Sequence, residues 1–292
     1  MSTAVAAATQ EPRRRATLAR RLMRHRLFVA GAATCGLIVA ASLLAGAIAQ
    51  ADPNQMSVLR RLKPPSDAAW FGTDAYGRDL FARVLHGGQV SLLVGLSVAA
   101  ATGILGTLVG ALAGYLRLLD GPLMRVMDAL MAFPSVLLAI AITAAMGPSL
   151  GNVIVALAIA YTPRTARVAR AAVLVAMEQD YVQAARAYGC DGLRLLWSHV
   201  LPNCLAPLIV QVTFVFGYAV LAEAVLSFLG MGTPPPTPSW GGIVAEGRTL
   251  LRVAPWICLF PGLAIALFVL GLNLLGDGLR DVLDPRMRLE RE

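Results

Sequence analysis

The chain has 292 residues, of which 57% are hydrophobic and 14% are charged. A soluble domain averages roughly a quarter charged residues, so this composition excludes an ordinary soluble enzyme and indicates one bundle of membrane-spanning helices. The net charge of +8 comes from arginine, because Lys63 is the one lysine. In a membrane protein, such an excess indicates orientation and contact with anionic lipid rather than nucleic-acid binding.

The N-terminal part of the chain predicts a basic arm and a first membrane helix. Residues 1–26 are rich in alanine and threonine and then in arginine, which favours a cytoplasmic location. Residues 27–49 carry no charge and approach the roughly 20 residues that span a bilayer. Ala47-Ile48-Ala49 has the form of a signal-peptidase site, but apolar cores of signal peptides are about 7–15 residues long. The sequence therefore favours an uncleaved first helix.

Residues 50–88 are polar and rich in turn residues, which predicts a periplasmic loop. The spacing of the aspartates in this loop lacks the alternating oxygen ligands of a calcium site. Asp74 and Asp79 are instead expected to cap turns and helices.

The rest of the chain completes a predicted all-α membrane fold with six spanning helices. Its core, residues 89–277, holds five more apolar stretches, at about Val90–Leu116, Val126–Met146 with a kink at Pro134, Val153–Thr162, Leu205–Phe228 and Trp256–Leu275. Gly106, Gly110 and Gly114 have the small-x-x-x-small spacing that lets helices approach closely. Residues 278–292 form the tail. Placing both termini in the cytoplasm puts most of the 25 basic residues inside, as the positive-inside rule expects.

Few ionisable residues lie within the predicted spans. Asp128 lies one turn from Arg125 near the inner surface, which predicts an interfacial ion pair between them. Glu223 lies in the outer half of the fifth span, where it contacts substrate or a partner helix, or forms a structural hydrogen bond; the sequence leaves these alternatives open. A proton-coupled pump would show more buried carboxylates, so transport driven from outside the chain is favoured.

Residues 178–202 are the polar interruption between the fourth and fifth spans. Tyr181–Tyr188 predicts a short amphipathic helix, Gly189 stands where a helix end favours a left-handed residue, and Leu193–Ser198 predicts a second helix. Pro202 marks the return to the membrane. The apolar faces are expected to be Val182, Ala185 and Tyr188 in the first helix, and Leu193, Leu196 and Trp197 in the second.

This segment resembles the cytoplasmic signature loop of ABC-importer permeases, whose pattern is Glu-Ala-Ala, three residues, Gly, nine residues and Ile-x-Leu-Pro. Ala184, Ala185 and Gly189 fill their positions, and Leu201-Pro202 closes the pattern. Gln183 replaces the glutamate and His199 the isoleucine, so the resemblance implies no carboxylate role at position 183. We call residues 178–202 the coupling segment.

Further stretches are similar to the C-type permease subunit of dipeptide, oligopeptide and nickel ABC importers. They follow the family's order from about residue 70 to residue 286. These stretches are Phe71-Gly72-Thr73-Asp74 with Gly77-Arg78-Asp79, Ala132-Phe133-Pro134-Ser135, Leu226-Ser227-Phe228-Leu229-Gly230, Pro235-Pro236-Thr237-Pro238-Ser239-Trp240-Gly241, Ala254-Pro255-Trp256, Asn273 to Asp281, and Leu283-Asp284-Pro285-Arg286.

The resemblance implies a type I ABC importer permease in the bacterial inner membrane. Its partners would be a second homologous permease, two ATPase subunits that use ATP and Mg, and a periplasmic substrate-binding protein; this chain would bind no cofactor itself. The expected ATPase-coupling residues are Tyr181, Gln183, Ala184, Ala185, Arg186, Tyr188, Gly189, Asp191, Arg194 and Pro202. Glu223 and Trp240 are expected on the substrate path or gate.

The expected substrates are dipeptides or oligopeptides, with nickel or another small solute of the same family as the alternative. A secondary transporter is the rival from a different class. The sequence has no phosphate-binding Gly-x-x-x-x-Gly-Lys, so this chain is not expected to be the ATPase, and it has no His-Glu-x-x-His motif of a zinc enzyme. Its four cysteines are scattered, which indicates neither a disulfide framework nor a metal site.

Overall fold

The computed structural model describes residues 18–283, and within that range the chain is helical with no β-strand. Residues 1–17 of the predicted arm and residues 284–292 of the predicted tail lie outside the described part. The α-helices are α1 (Leu18–Leu22), α2 (Arg26–Leu43), α3 (Ala45–Ile48), α4 (Leu80–Tyr115), α5 (Arg117–Met131), α6 (Ser135–Met146), α7 (Leu150–Met177), α8 (Asp180–Ala187), α9 (Gly192–Leu195), α10 (Leu205–Phe228), α11 (Trp240–Gly247) and α12 (Trp256–Leu283). Short 3₁₀ or π turns occupy Val58–Arg60, Leu196–Val200, Leu201–Cys204 and Arg248–Leu250.

Several of these helices are long and apolar enough to cross a membrane. Length and composition identify four such stretches, and α5 with α6 forms a fifth if the two count as one broken span. The four are Arg26–Leu43, Leu80–Tyr115, Gly192–Phe228 and Trp256–Leu283. Helix α7 has 28 residues but carries arginines in its second half, so its composition does not mark it as a span. The predicted count of six therefore depends on α5–α6 and on α7.

The prediction that the third span is one kinked helix is wrong. Helix α5 ends at Met131, α6 begins at Ser135, and the two meet at 87°. Pro134 has no N–H to donate, and it disfavours helical backbone at the preceding Phe133, so the helix ends here. Helix α5 is also amphipathic, so one of its faces is polar.

Two boundaries of the predicted loop and tail are also corrected. Residues 80–88, predicted as loop, form the first turns of α4 because Asp79 caps that helix: its carboxylate accepts a hydrogen bond from the Ala82 N–H at 2.9 Å. The predicted capping role of Asp79 is confirmed. At the other end, α12 continues to Leu283, six residues into the predicted tail 278–292.

Helices α4 and α7 pack closely through the predicted glycine face. A Cβ at Gly110 would lie 2.2 Å from the Ala166 carbonyl oxygen and 2.6 Å from the Ala169 Cβ. Gly106, one turn before Gly110, and Gly114, one turn after it, also lie in close contact with α7. The small-x-x-x-small spacing is thus confirmed as a helix-packing surface.

The buried apolar side chains form three clusters along the bundle. One surrounds Trp240 and Phe268 at the end that carries residues 50–79, which we call the loop end. A second surrounds Leu157 in the middle. The third surrounds Leu195 at the opposite end, where the coupling segment lies, and we call this the coupling end.

We expect Gly110→Ala to separate α4 from α7 and to lower the Tm of the purified protein in detergent by about 3–10 °C, because the added methyl group overpacks a backbone contact. Gly36→Ala in α2 is the matched control, since a Cβ there would have no neighbour within 4 Å. Equal melting temperatures for the two variants would contradict the packing assignment.

Candidate functional site

The coupling segment is two short helices joined by a left-handed glycine. Helix α8 ends at Ala187, and Gly189 follows with φ of +83°. The Gly189 N–H donates to the Arg186 carbonyl at 2.8 Å, and the Cys190 N–H donates to the Ala185 carbonyl at 3.0 Å. These two bonds are the Schellman arrangement that ends a helix and reverses the chain. The predicted left-handed conformation at Gly189 is confirmed.

The segment is packed against the coupling end of the bundle. Val182 of α8, Leu195 of α9, and Leu196 and Val200 of the following π turn are all 0% exposed. They belong to one cluster with Val173 of α7 and with residues at the start of α10. The two small helices therefore attach to both α7 and α10 and are not loose in solvent.

The predicted coupling residues lie on the opposite, outward side of the segment. Ala185 is partly buried, and the others are exposed, Tyr188 to 93%. Side-chain contacts hold two of them near the end of α7: Gln183 donates to the Met177 carbonyl at 3.3 Å, and Arg186 contacts the Met177 sulfur at 3.8 Å. The exposed set is Tyr181, Gln183, Ala184, Arg186, Tyr188, Gly189, Asp191, Arg194 and Pro202.

The predicted apolar faces of this segment are partly wrong. Tyr188 follows the last residue of α8, so it leaves the stripe that Val182 begins and points outward. In the second helix, residues 196–200 form a π turn, which is wider than an α turn and shifts the face that meets the bundle. As a result Leu193 and Trp197 are about half exposed, at 54% and 48%, and Leu195 takes the buried position instead.

Ion pairs join α5 to α7 near the coupling end. Arg170 makes a two-pronged contact with Asp120, with distances of 2.5 and 2.6 Å. Asp128 pairs with Arg167 at 2.5 Å and not with Arg125, so the predicted partner was wrong. Arg125 is the basic residue nearer in sequence, but the packing of α5 against α7 brings the Arg167 guanidinium to Asp128 instead.

A buried charge cluster lies at the loop end. Arg78 and Arg83 each contact both Asp74 and Glu246: Arg78 at 2.5 and 2.6 Å, and Arg83 at 3.3 and 3.0 Å. Asp74 also accepts hydrogen bonds from the N–H groups of Tyr76 and Arg78, as its predicted capping role requires. Burial raises the pKa of the Glu246 carboxyl, and the nearby Arg78 guanidinium opposes that shift. The cluster attaches residues 74–78 to α4 and α11.

Glu223 and Trp240 share one hydrogen-bond network. The Glu223 carboxylate is 0% exposed and accepts hydrogen bonds from Ser91 at 2.9 Å and Ser227 at 2.7 Å. The Trp240 backbone N–H donates to the same Ser91 hydroxyl at 3.2 Å, and its indole N–H donates to the Val84 carbonyl at 2.8 Å. These contacts are the structural hydrogen bonds that the sequence left open for Glu223, and they join α10, α4 and α11.

Metal-binding and disulfide chemistry find no support in the described part of the chain. Within residues 18–283, no three His, Cys, Asp or Glu side chains lie close enough together to hold a metal ion. Cys35, Cys190, Cys204 and Cys258 are all free thiols.

Several membrane-length helices, with a polar helix–glycine–helix segment packed on one end, define the class of the protein as a multi-pass membrane permease. The family described as binding-protein-dependent transport system inner membrane component matches residues 106–289, and the N-terminal TM domain of oligopeptide transport permease C matches residues 15–65. The chain belongs to the binding-protein-dependent transport system inner membrane component family, and the resemblance seen in its motifs is confirmed.

Relatives extend the match to almost the whole chain. A protein of Brucella abortus, provisionally named as a peptide transport system permease protein, is 58% identical over 272 residues, 93% of this chain and 92% of that protein. The di/tripeptide transport system permease protein DppC of Pseudomonas aeruginosa is 48% identical over 259 residues, 86% of each chain. The dipeptide transport system permease protein DppC of Alkalihalophilus pseudofirmus is 42% identical over 270 residues, 92% of this chain and 89% of that protein.

We expect Asp74→Asn to lower the Tm in detergent by about 5 °C or more. The amide keeps an oxygen for the backbone N–H groups but removes the charge that Arg78 and Arg83 share, and breaking a buried ion pair costs about 3–5 kcal/mol. Asp67→Asn is the control, because Asp67 lies exposed in the same loop. A Tm unchanged in Asp74→Asn would show that the cluster contributes nothing to stability.

Proposed function

We propose that this chain is the membrane-spanning subunit of an ATP-driven importer of dipeptides or oligopeptides. The printed names of its relatives, which refer to dipeptide, di/tripeptide and peptide transport, support the substrate class. The family supports the remaining parts of the assembly: a second permease, two ATPase subunits that bind the ATP and Mg, and a periplasmic substrate-binding protein.

The observation that carries the proposal is the two-sided structure of the coupling segment. Its apolar side is buried against α7 and α10, whereas its polar side is presented outward. A surface that must pass a push from an ATPase to membrane helices needs both properties: a rigid attachment and an exposed contact face. Exposed Tyr181, Tyr188, Leu193 and Trp197 add apolar area to that face, and aromatic residues are enriched among the energetically important contacts of interfaces.

The proposed topology has six spans with both termini in the cytoplasm. Helix α7 then crosses the membrane despite its arginines, because the Asp120 and Asp128 carboxylates of α5 pair with two of them. The coupling segment faces the cytoplasm, and residues 50–79 face the periplasm with residues 229–255. In this topology the binding protein meets the loop end, and Glu223 and Trp240 act on the outer gate by positioning α4, α10 and α11.

Nickel or another small solute remains the alternative cargo within the family, and the relatives named above favour peptides over it. A secondary transporter would import its substrate without an ATPase. The two classes are therefore separated by whether transport requires ATP and a bound ATPase subunit.

The test is copurification and uptake with the proteins encoded beside this chain. We expect the complex to retain an ATPase and, in proteoliposomes supplied with loaded binding protein, to import peptides only with ATP inside. Tyr188→Ala should weaken ATPase association about tenfold or more, since it removes an exposed aromatic anchor. Leu59→Ala, 88% exposed at the loop end, is the matched control. Association unaffected by Tyr188→Ala would remove this residue from the contact face.

We expect Gly189→Val to leave insertion intact and to abolish ATP hydrolysis stimulated by loaded binding protein. A β-branched residue resists the φ of +83° at this position, although no neighbour lies within 4 Å of its Cβ, so the defect would be one of chain direction. Gly189→Asn is the control, because asparagine tolerates the left-handed region. Normal stimulated hydrolysis in Gly189→Val would contradict the role of the turn.

A further inference from the structure

One arginine of α7, Arg164, has no acidic partner in the described part of the chain. Arg164 is the fifteenth residue of the 28-residue helix, about 21 Å from its start at 1.5 Å per residue. Arg167 and Arg170, further along, pair with Asp128 and Asp120. Among residues 18–283, no side chain forms an ion pair or hydrogen bond with Arg164, and the residue is exposed at the surface of the subunit.

Arg164 lines a groove between α7 and α10. The groove has a volume of about 270 Å³ and is lined on α10 by Gln211, Phe214 and Tyr218, and on α7 by Tyr161 and Val168 as well as Arg164. These residues recur at helical spacing on each helix, so they form two facing stripes. Tyr218 is 46% exposed, so the groove is open at the surface of the subunit.

The groove continues toward the coupling end. Val168, Gln211 and Phe214 also line a second cavity of about 590 Å³, whose other walls include Asn203 and Arg280. The second cavity falls within the range of about 300–1,000 Å³ that holds small ligands, and the first adds to it. Together they make a track that starts at Tyr218, near the middle of α10, and ends at Asn203 beside the coupling segment.

The side chains that line this track indicate which chemical groups it can bind. Its charged groups are two guanidinium groups, its amides and hydroxyls add donors, and no carboxylate lines either cavity. A guanidinium recognises a carboxylate with two parallel hydrogen bonds. The faces of Phe214 and Tyr218 suit an ammonium group. A short peptide carries both groups, with its carboxylate and its amine at opposite ends.

We propose that Arg164 binds the α-carboxylate of a peptide in transit and that the α7–α10 groove is a low-affinity station on the translocation path. The inference rests on the proposed function. On the proposed topology Arg164 lies in the membrane-crossing part of α7, where an unpaired charge is unfavourable, so its presence there indicates a function at that position. A station of this kind must hold the ligand weakly enough to release it.

The experiment uses the full complex in proteoliposomes with loaded binding protein, and the probe is an equimolar library of dipeptides quantified by mass spectrometry. We expect Arg164→Gln to reduce uptake about tenfold or more, the loss of a hydrogen-bonded charge. Complex yield and stimulated ATP hydrolysis should stay within about twofold of wild type, since the coupling segment is untouched and removal of a charge favours insertion. Arg164→Lys, which keeps the charge, should recover part of the uptake.

Arg167→Gln is the matched control, because it removes an arginine one turn away that lines neither cavity; its uptake should stay within about twofold of wild type. Wild-type uptake in Arg164→Gln would overturn the proposal. Loss of assembly, or a parallel loss of hydrolysis, would overturn it too and assign Arg164 to a contact with the second permease. Arg164→Lys as inactive as Arg164→Gln would show that shape and not charge is required. Absence of peptide uptake in the wild-type complex would instead refute the proposed function.

Discussion

The burial of four apolar side chains attaches the coupling segment to the bundle, and the proposed mechanism depends on that contact. Val182, Leu195, Leu196 and Val200 are fully buried, and each such side chain contributes about 1.5–3 kcal/mol when removed from water. The left-handed turn at Gly189 is what allows helices on both sides of it to present apolar residues to one surface. The segment therefore moves with α7 and α10, and a force applied to its exposed side reaches the membrane helices.

Polar groups of the bundle make two kinds of contact, and Arg164 makes neither. Buried Glu223 accepts hydrogen bonds from the hydroxyls of Ser91 and Ser227, and Arg167 and Arg170 near the coupling end pair with acids of α5. The Ser91–Glu223 bond and the two ion pairs each join two helices, so they serve architecture. Arg164 joins nothing in the described part of the chain, and a costly group without a structural contact is the usual sign of a functional one.

Features set by local chemistry could be predicted from the sequence. The bounds of α10, the Asp79 cap, the glycine face of α4 and the turn at Gly189 all follow from residue type and spacing. Family motifs added the location of the coupling segment. None of these required knowledge of which helices are neighbours.

Features set by tertiary contacts could not be predicted. Glu246 completes the cluster with Arg78, 168 positions earlier in the chain, and no local pattern relates them. Asp128 has a basic neighbour in sequence and another in space, and the packing of α5 against α7 selects the second. The π turn at residues 196–200 likewise decides which apolar residues of the coupling segment are left exposed. Side-chain periodicity assumes a regular helix, so it fails where the turn is wider.

Different contacts stabilise the two ends of the subunit, and these contacts determine how the subunit can move. The loop end is held by the charge cluster and the network of Glu223, and the middle by the apolar cluster around Leu157. The coupling end is held by its own apolar cluster, next to the backbone contact between α4 and α7. A subunit consolidated along its whole length transmits a push as a rigid body, because close-packed interiors do not deform continuously. In the proposed function, the α7–α10 groove therefore opens first to one side of the membrane and then to the other, and its shape changes little. The release of a peptide from Arg164 would follow from access to water, which screens the guanidinium, rather than from the breaking of any contact within this chain.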